Sequence, residues 1–502
     1  MLHAALTIDP VHTVAPVRRR TFGSFVEHLG RAVYGGIHDP GHPTADADGF
    51  RGDVIALVRE LGVSTVRYPG GNFVSGYRWE DGIGPVAERP VRLDVAWHST
   101  EPNTVGVDEF LRWCRKADVE PMMAVNLGTR GLQEAMDLLE YCNIPGGTYW
   151  SDLRRANGTP EPHDVRMWCL GNEMDAPWQV GHKKAEEYAR LATETARVMR
   201  MIDPGLELVA CGSSGSQMPT FGTWEATVLA EAYDQVDYIS AHSYYHEKDG
   251  DLGSFLASAV DMDAFVETVV ATADAVGAAR GSTKKIAISF DEWNVWYVFD
   301  TPSAPPTDSW PVSPRLLEDH YSVADAVVVG NLLISLLRHS DRVHSASLAQ
   351  LVNAIAPIMT EPDGRIWRQT TFHPFALTSR HARGDVLRVD LTAPRYETAL
   401  YGDAPVVDAV ATHDAAAGEV AVFVVNRSLA DSTRVAVDLR AFGGGRLVEA
   451  VTLANEDPYA KADPDDDAAL APQPNTTGTV EDGHLGVDLP PVSWTMLRVT
   501  TR

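Results

Sequence analysis

The stretch Ile286-Ala287-Ile288-Ser289-Phe290-Asp291-Glu292-Trp293-Asn294 constrains the fold more than any other. An apolar, β-branched run ends abruptly in two carboxylates, an indole and an amide. A strand apolar on both faces reads as buried in a parallel sheet. An unpaired carboxylate is costly inside such a strand, so Asp291 and Glu292 are expected at its carboxyl end, where a barrel opens. The stretch Val165-Arg166-Met167-Trp168-Cys169-Leu170-Gly171-Asn172-Glu173 has the same form, an apolar strand closed by Asn and Glu. Two strands of one sheet that each deliver a Glu to the same rim meet the requirement of two-carboxylate glycoside hydrolysis.

The remaining chain supplies strands and helices in alternation. Strand one is expected at 22–28, followed by a helix at 50–62 closed by Gly62. Strand two, Ser64–Tyr68, runs into Pro69-Gly70-Gly71-Asn72, and the next helix, 107–119, carries Val107, Phe110, Leu111 and Cys114 at helical spacing. Strand three is 121–126 with a helix at 131–143, and the Glu173 strand is the fourth, with a helix at 183–202. Strands at 206–211 and 236–242 precede helices near 223–234 and 262–279. The Glu292 strand is the seventh, followed by a helix at 323–338. Strand eight, 343–351, carries Gln350, and a last helix lies near 373–383. Eight strand–helix pairs predict a (β/α)8 TIM barrel. A doubly wound sheet would carry a Gly-rich phosphate loop after an early strand, and the sequence has none there.

After about Gly384 the texture changes to short alternating strands without intervening helices, near 387–391, 406–411, 419–425, 433–439, 447–451 and 494–499. These predict a carboxyl-terminal β-sandwich. The amino-terminal run 4–9 has no neighbour to pair with and is expected to dock there. The domain plan is therefore 1–16 as a strand on the sandwich, 17–384 as the barrel and 385–502 as the sandwich. Residues 455–483, dense in Asp, Pro, Ala and Thr, read as a long solvated loop.

The 502 residues are too many for one ordinary core, which agrees with a large and a small domain. The formal charge of −27 argues against nucleic acid or an anionic membrane as partner and suits a neutral sugar. The four cysteines, Cys114, Cys142, Cys169 and Cys211, lie outside C-x-x-C spacing and read as buried free thiols. The amino terminus shows no signal-peptide pattern and no run reaches membrane-span length, so a cytoplasmic protein is expected.

Strand ends supply Glu27, Arg67, Asn72, Asn126, Asn172, Glu173, His242, Tyr244, Glu292 and Gln350 to one rim. A retaining hydrolase needs an ionised nucleophile and a protonated acid ~5–5.5 Å apart. Arg67 and Tyr244 are candidate donors to the nucleophile, and Asn172 can donate to the sugar 2-hydroxyl. Glu27, Asn72 and Gln350 can hold other hydroxyls. An inverting enzyme could use the same pair at wider spacing.

The segments RYPGGNFVSGYRWEDGIGP (67–85), WHSTEPNTVG (97–106), WCLGNEMDAPWQVGHK (168–183) and FDEWNVWY (290–297) resemble the α-L-arabinofuranosidases of glycoside hydrolase family 51. The resemblance runs over most of the barrel and extends to the sandwich in layout. It implies a retaining exo-hydrolase that removes terminal arabinofuranosyl units without cofactor or metal, acts on arabinose-bearing oligosaccharides and assembles as a homohexamer. It makes Glu173 the acid/base and Glu292 the nucleophile, with Glu27, Asn72, Asn172, Tyr244 and Gln350 on the sugar. Arg67, Trp97, Trp178, His242 and Trp296 take supporting or subsite places. His246-Glu247-Lys248 and the insertion 301–314 depart from the family pattern, and both follow rim strands. Two other readings use the same residues: an endo-β-glucanase or β-xylosidase, and a sugar-binding barrel without turnover.

Overall fold

The computed structural model describes residues 1–297, 308–362 and 364–501. Eight parallel strands close into a barrel: Gly23–Phe25, Thr65–Tyr68, Glu120–Val125, Met167–Leu170, Glu207–Ala210, Tyr238–Tyr245, Ala287–Val295 and Val343–Leu348. They are called strands one to eight below. The helices that follow them in turn include Gly52–Leu61, Val107–Ala117, Leu132–Asn143, Ala185–Ile202, Thr223–Ala232, Ala259–Ala279, Val323–Arg338 and Phe372–His381. The first ends as expected at Gly62, whose φ of 77° is the left-handed conformation glycine adopts without a Cβ clash. Val107, Phe110, Leu111 and Cys114 face the core from the second.

One expectation about strand seven is corrected. The strand does not stop at the acids but continues through them to Val295, with an irregularity in its pairing to strand six between Ser289 and Glu292. Asp291 is fully buried there. It is tolerated because it is not unpaired: His242 lies 2.8 Å from it and the Arg67 guanidinium 3.9 Å away. Strands one and eight are shorter than read, so Glu27 and Gln350 stand just beyond their ends. The helices Tyr149–Ala156 and Leu252–Leu256 and the small hairpin Arg92–Asp94/Ser99–Glu101 were not anticipated.

The carboxyl-terminal strands hydrogen-bond as one continuous ten-stranded sheet that takes in the amino-terminal strand Leu2–Pro16. That strand lies antiparallel to Asp385–Thr392 and parallel to Thr433–Asp438, with Leu6 opposite Leu391 and Val437. Leu6, Ile8, Val435, Val437 and Leu485 from one half pack in one core with Val420, Val422, Val424, Leu497 and Val499 from the other. The sheet therefore folds over on itself as a sandwich. The alternate residues Phe423, Val425, Trp494 and Met496 join the barrel's own core. Between barrel and sheet runs the helix Val323–Arg338, buried along nearly its whole length, which explains its apolar residues on all sides. A Cβ on its Gly330 would come 2.2 Å from the Trp494 ring, so only glycine admits the sheet this close.

The 455–483 segment is not simply a solvated loop. The carbonyls of Ala460 and Pro458 accept from Val323 and Ala324 at 3.0 and 2.8 Å, satisfying N–H groups that a helix start leaves without partners. Asp467 accepts from the Arg368 backbone and guanidinium at 2.8 and 3.1 Å. The four cysteines are free and buried. Among the described residues no helix is long and apolar enough to cross a membrane.

Candidate active site

The carboxyl ends of strands two, four, six and seven converge on a buried charge cluster. Glu292 is capped on both oxygens: Arg67 Nη1 donates to Oε1 at 2.8 Å and the Tyr244 hydroxyl to Oε2 at 2.7 Å. Arg67 Nη2 donates to Asn172 Oδ1 at 2.7 Å, and its guanidinium lies over the Phe25 ring. Asn172 is held from the other side, its Nδ2 donating to Gln179 Oε1 at 3.3 Å. Gln179 in turn donates to Ser75 at 2.5 Å. Glu173 follows Asn172 with a φ of 44°, a left-handed conformation that is uncommon away from glycine and is found at functional sites. Its Oε2 accepts from the Trp178 indole at 2.6 Å, and its Oε1 lies 2.9 Å from His242 Nδ1. One oxygen of each glutamate and a ring nitrogen of His242 all lie within 4.8 Å of one another.

Strands one and eight build the neighbouring wall. Glu27 Oε1 accepts from the Phe73 backbone and from the Trp97 indole, both at 2.8 Å. Gln350 brackets the same residue, accepting from the Glu27 N–H at 3.0 Å and donating to Oε2 at 3.2 Å. The Pro69-Gly70-Gly71 turn is what lets Glu27 fit. A Cβ on Gly70 would lie 2.6 Å from the Glu27 side chain, and one on Gly71 2.7 Å from its carboxylate. Asn72 opens the next turn, half-buried and outside this network. Trp296 packs edge-on against Tyr244 with ring centroids 5.0 Å apart.

Charge in this cluster is shifted in opposed directions. Burial drives the Glu27 carboxyl up to about 8. Burial, and then the neighbouring Glu173 charge, also raises Glu292 above the usual range, although His242, Arg67 and Tyr244 hold it down. Burial works against a charged His242, but Glu292, Asp291 and Glu173 outweigh it and raise the ring to about 10. Asp291 is lowered despite burial by Arg67 and His242. Glu173, His242 and Glu292 also have the spacing of a metal-ligand set. Both His242 nitrogens are already committed to carboxylates, Glu173 and Asp291. A cation would have to displace a ring proton that three acids stabilise.

The rim residues named from the sequence therefore meet in space, except that Asn72 stands outside the network and Asn126 is turned to another task. Asn126 does not face the site; it braces a loop, donating to Tyr77 O and Thr129 Oγ1, both at 2.9 Å. The sequence marks Asp291 only as a strand-end acid, yet it lies 2.8 Å from His242 Nε2 and anchors that ring. Gln179 and Ser75, which steady Asn172, carry no sequence signal beyond lying inside quoted segments. Of the 301–314 insertion, residues 301–307 lie outside the described residues; Trp310 stacks on His98 with centroids 3.7 Å apart. From the His246-Glu247-Lys248 turn, Glu247 accepts from the Tyr459 hydroxyl at 3.0 Å, so the carboxyl-terminal region reaches the barrel rim.

Comparison with known proteins gives a consistent result. Residues 57–263 match the model of the alpha-L-arabinofuranosidase 1 domain, and residues 291–493 that of the alpha-L-arabinofuranosidase C-terminal domain. The chain is 57% identical over 500 residues to an intracellular exo-alpha-(1->5)-L-arabinofuranosidase of Streptomyces lividans, covering 99% of this chain and 75% of that protein. It is 56% identical over 505 residues to an exo-alpha-(1->6)-L-arabinofuranosidase of Bifidobacterium longum, covering 98% and 97%. Among solved structures, a family 51 alpha-L-arabinofuranosidase from Bifidobacterium longum superposes with a TM-score of 0.95 at 50% identity, covering 99% of each chain. With both halves of the chain matched and the charge cluster at the barrel mouth, the protein belongs to the family 51 α-L-arabinofuranosidases.

Proposed function

We propose that the protein is a retaining exo-α-L-arabinofuranosidase, with Glu292 as nucleophile and Glu173 as acid/base. The observation that carries this reading is the carboxylate spacing. One oxygen of Glu173 and one of Glu292 lie within 4.8 Å of each other, which supports the close carboxyl pair of a retaining enzyme, ~5–5.5 Å, over the ~6.5–9.5 Å gap that admits water in an inverting one. In the first step a Glu292 oxygen attacks the anomeric carbon and the bond to the leaving oxygen breaks. That oxygen takes the Glu173 proton. In the second step Glu173 removes a proton from water, which displaces Glu292 and releases arabinose. Arg67 and Tyr244 stabilise Glu292 as its charge is used and restored. Asn172, fixed by Arg67 and Gln179, is placed to donate to the 2-hydroxyl, while Glu27, Asn72 and Gln350 hold the remaining hydroxyls.

Trp97 and Trp296 wall the sugar, and Trp178, 54% exposed, faces the leaving group. The buried carboxylates favour one terminal sugar over a long chain, so the substrates are short arabino- and arabinoxylan-derived oligosaccharides. The intracellular naming of the Streptomyces relative supports a cytoplasmic enzyme. The family resemblance supports a homohexamer, and residues 17–384 are taken as the catalytic unit. An endo-glucanase or xylosidase reading lacks any observation in its favour.

Azide tests the two assignments. Glu292→Ala should lose every substrate, because no glycosyl-enzyme forms. Glu173→Ala should keep the first step for aryl arabinofuranosides, whose leaving group departs unaided, and should accumulate the covalent intermediate. General acid–base help is worth roughly 10²–10⁴-fold, so azide rescue should be visible. Azide should give the retained arabinosyl azide with Glu173→Ala and the inverted one with Glu292→Ala. The opposite pattern would exchange the two roles.

A further inference from the structure

The geometry points to Asp291 as a positioning residue that keeps both nitrogens of His242 protonated and so confines the acid proton of Glu173 to its Oε2 oxygen. This inference rests on the assignment of Glu173 as acid/base. Asp291 Oδ1 lies 2.8 Å from His242 Nε2, and its Oδ2 accepts from the Ser289 hydroxyl at 3.2 Å and from the Cys169 thiol at 3.7 Å. Ser289 and Cys169 thus both donate to Asp291, and the positive Arg67 lies 3.9 Å away. The carboxylate is ionised and holds an N–H on Nε2.

The other ring nitrogen then decides where the Glu173 proton sits. Nδ1 lies 2.9 Å from Glu173 Oε1. If Nδ1 carries a proton, it donates to Oε1, and the acid proton must occupy Oε2. That oxygen lies against the half-exposed Trp178 indole, on the open side of the site. If Nδ1 is bare, it accepts from Oε1–H and traps the proton on the buried side, away from a leaving oxygen. The remaining charged groups around the ring favour the first state. Glu292 Oε2 lies 3.8 Å from Nδ1, and the nearby Asp175 adds a carboxyl that burial pushes up to about 6. The positive Arg67 opposes it but is already shared between Glu292 and Asp291. The ring is held charged up to about 10.

The proton balance through the reaction follows. In the first step the proton leaves Glu173 Oε2 for the glycosidic oxygen, and Nδ1–H stabilises the carboxylate that remains. In the second step water returns a proton to Oε2, while His242 keeps both of its own. The imidazolium is thus a fixed donor, and neither gains nor loses a proton.

The test is Asp291→Asn, with kcat/KM measured against pH on two substrates. One is an arabino-oligosaccharide, whose leaving alkoxide needs the acid. The other is a dinitrophenyl arabinofuranoside, whose leaving group does not. In the variant the charge holding the Nε2 proton is gone, so His242 should become neutral within the working pH range. The oligosaccharide profile should lose its basic limb by one pH unit or more, recovering toward acidic pH. At neutral pH the oligosaccharide should fall at least 30-fold, and the aryl substrate less than threefold. An equal fall on both substrates with an unshifted profile would mean that Asp291 only supports the fold, and would overturn the inference. If Asp291→Asn does not fold, nitrogen NMR of His242 in the unmodified enzyme decides: both ring nitrogens should be protonated at pH 7.5, and a neutral ring overturns it. Failure of the Glu173 assignment shows separately, as Glu173→Ala that still cleaves the oligosaccharide.

Discussion

Arg67 Nη1 and Glu292 Oε1 form a 2.8 Å ion pair with side chains that are 1% and 7% exposed. Both partners are almost wholly shielded from solvent, so the charge on each depends on the other and on His242. Arg is suited to this place because its fork also reaches Asn172 and its charge persists at any working pH.

Arg67→Met is therefore expected to move the acidic limb of kcat/KM to higher pH. Burial and Glu173 already raise Glu292, and removing one of the cations that hold it down lets it protonate earlier as pH falls. The same change takes one cation from a buried charge cluster, and breaking a buried pair costs about 3–5 kcal/mol, so the melting temperature should drop. Near-normal activity with an unmoved limb would take Arg67 out of the nucleophile's environment.

Tyr244→Phe keeps the ring that packs on Trp296 but removes the 2.7 Å hydrogen bond to Glu292 Oε2. A hydrogen bond to a charged group contributes about 1.5–3 kcal/mol, which corresponds to about 10- to 150-fold. The loss should appear in kcat for the glycosylation step, and because the bond already exists in the resting fold the melting temperature should fall as well. Pre-steady-state measurement of aryl alcohol release checks it.

Glu27 offers a test by stability. Its carboxyl rises to about 8 in the fold through burial, whereas an unfolded Glu titrates near ~4.3. The folded state therefore binds more protons, and this group's stabilising protonated form is lost as pH rises from about 4.3 through 8. Wild-type stability should fall relative to Glu27→Gln across that window, on the order of 1 kcal/mol per pH unit. Denaturant titrations at pH 5, 6.5 and 8 measure the difference, and parallel curves would show that the three donors around Glu27 outweigh its burial.

The barrel could be read from the chain because its signals are local. Each strand is an apolar run of a few residues, each helix repeats at helical spacing, and polar residues collect where strands end. Glu173 and Glu292 stood out for that reason. Asp291 did not acquire a role, because its partners come from His242, Arg67 and Cys169, which lie far away in the chain. Burial without those partners would be prohibitive, and with them it is stable, so the run of apolar residues misjudged where strand seven stops. Composition likewise misread 455–483. Its Asp and Pro content suits solvent, but what it touches, the start of the Val323–Arg338 helix and Arg368, is set by the tertiary arrangement.

The placement of Leu2–Pro16 between Asp385–Thr392 and Thr433–Asp438 also sets an order of assembly. That strand has no partner until residues 17–384 have been synthesised. At ~5–20 residues per second, it waits for tens of seconds with its pairing groups open, while the barrel that follows it can already close. Segments that lie on either side of the barrel in the chain are then sewn into one sheet, late and over the whole length of that barrel. Slow completion of that seam, rather than of the catalytic barrel, should limit how fast newly made chains become resistant to proteases.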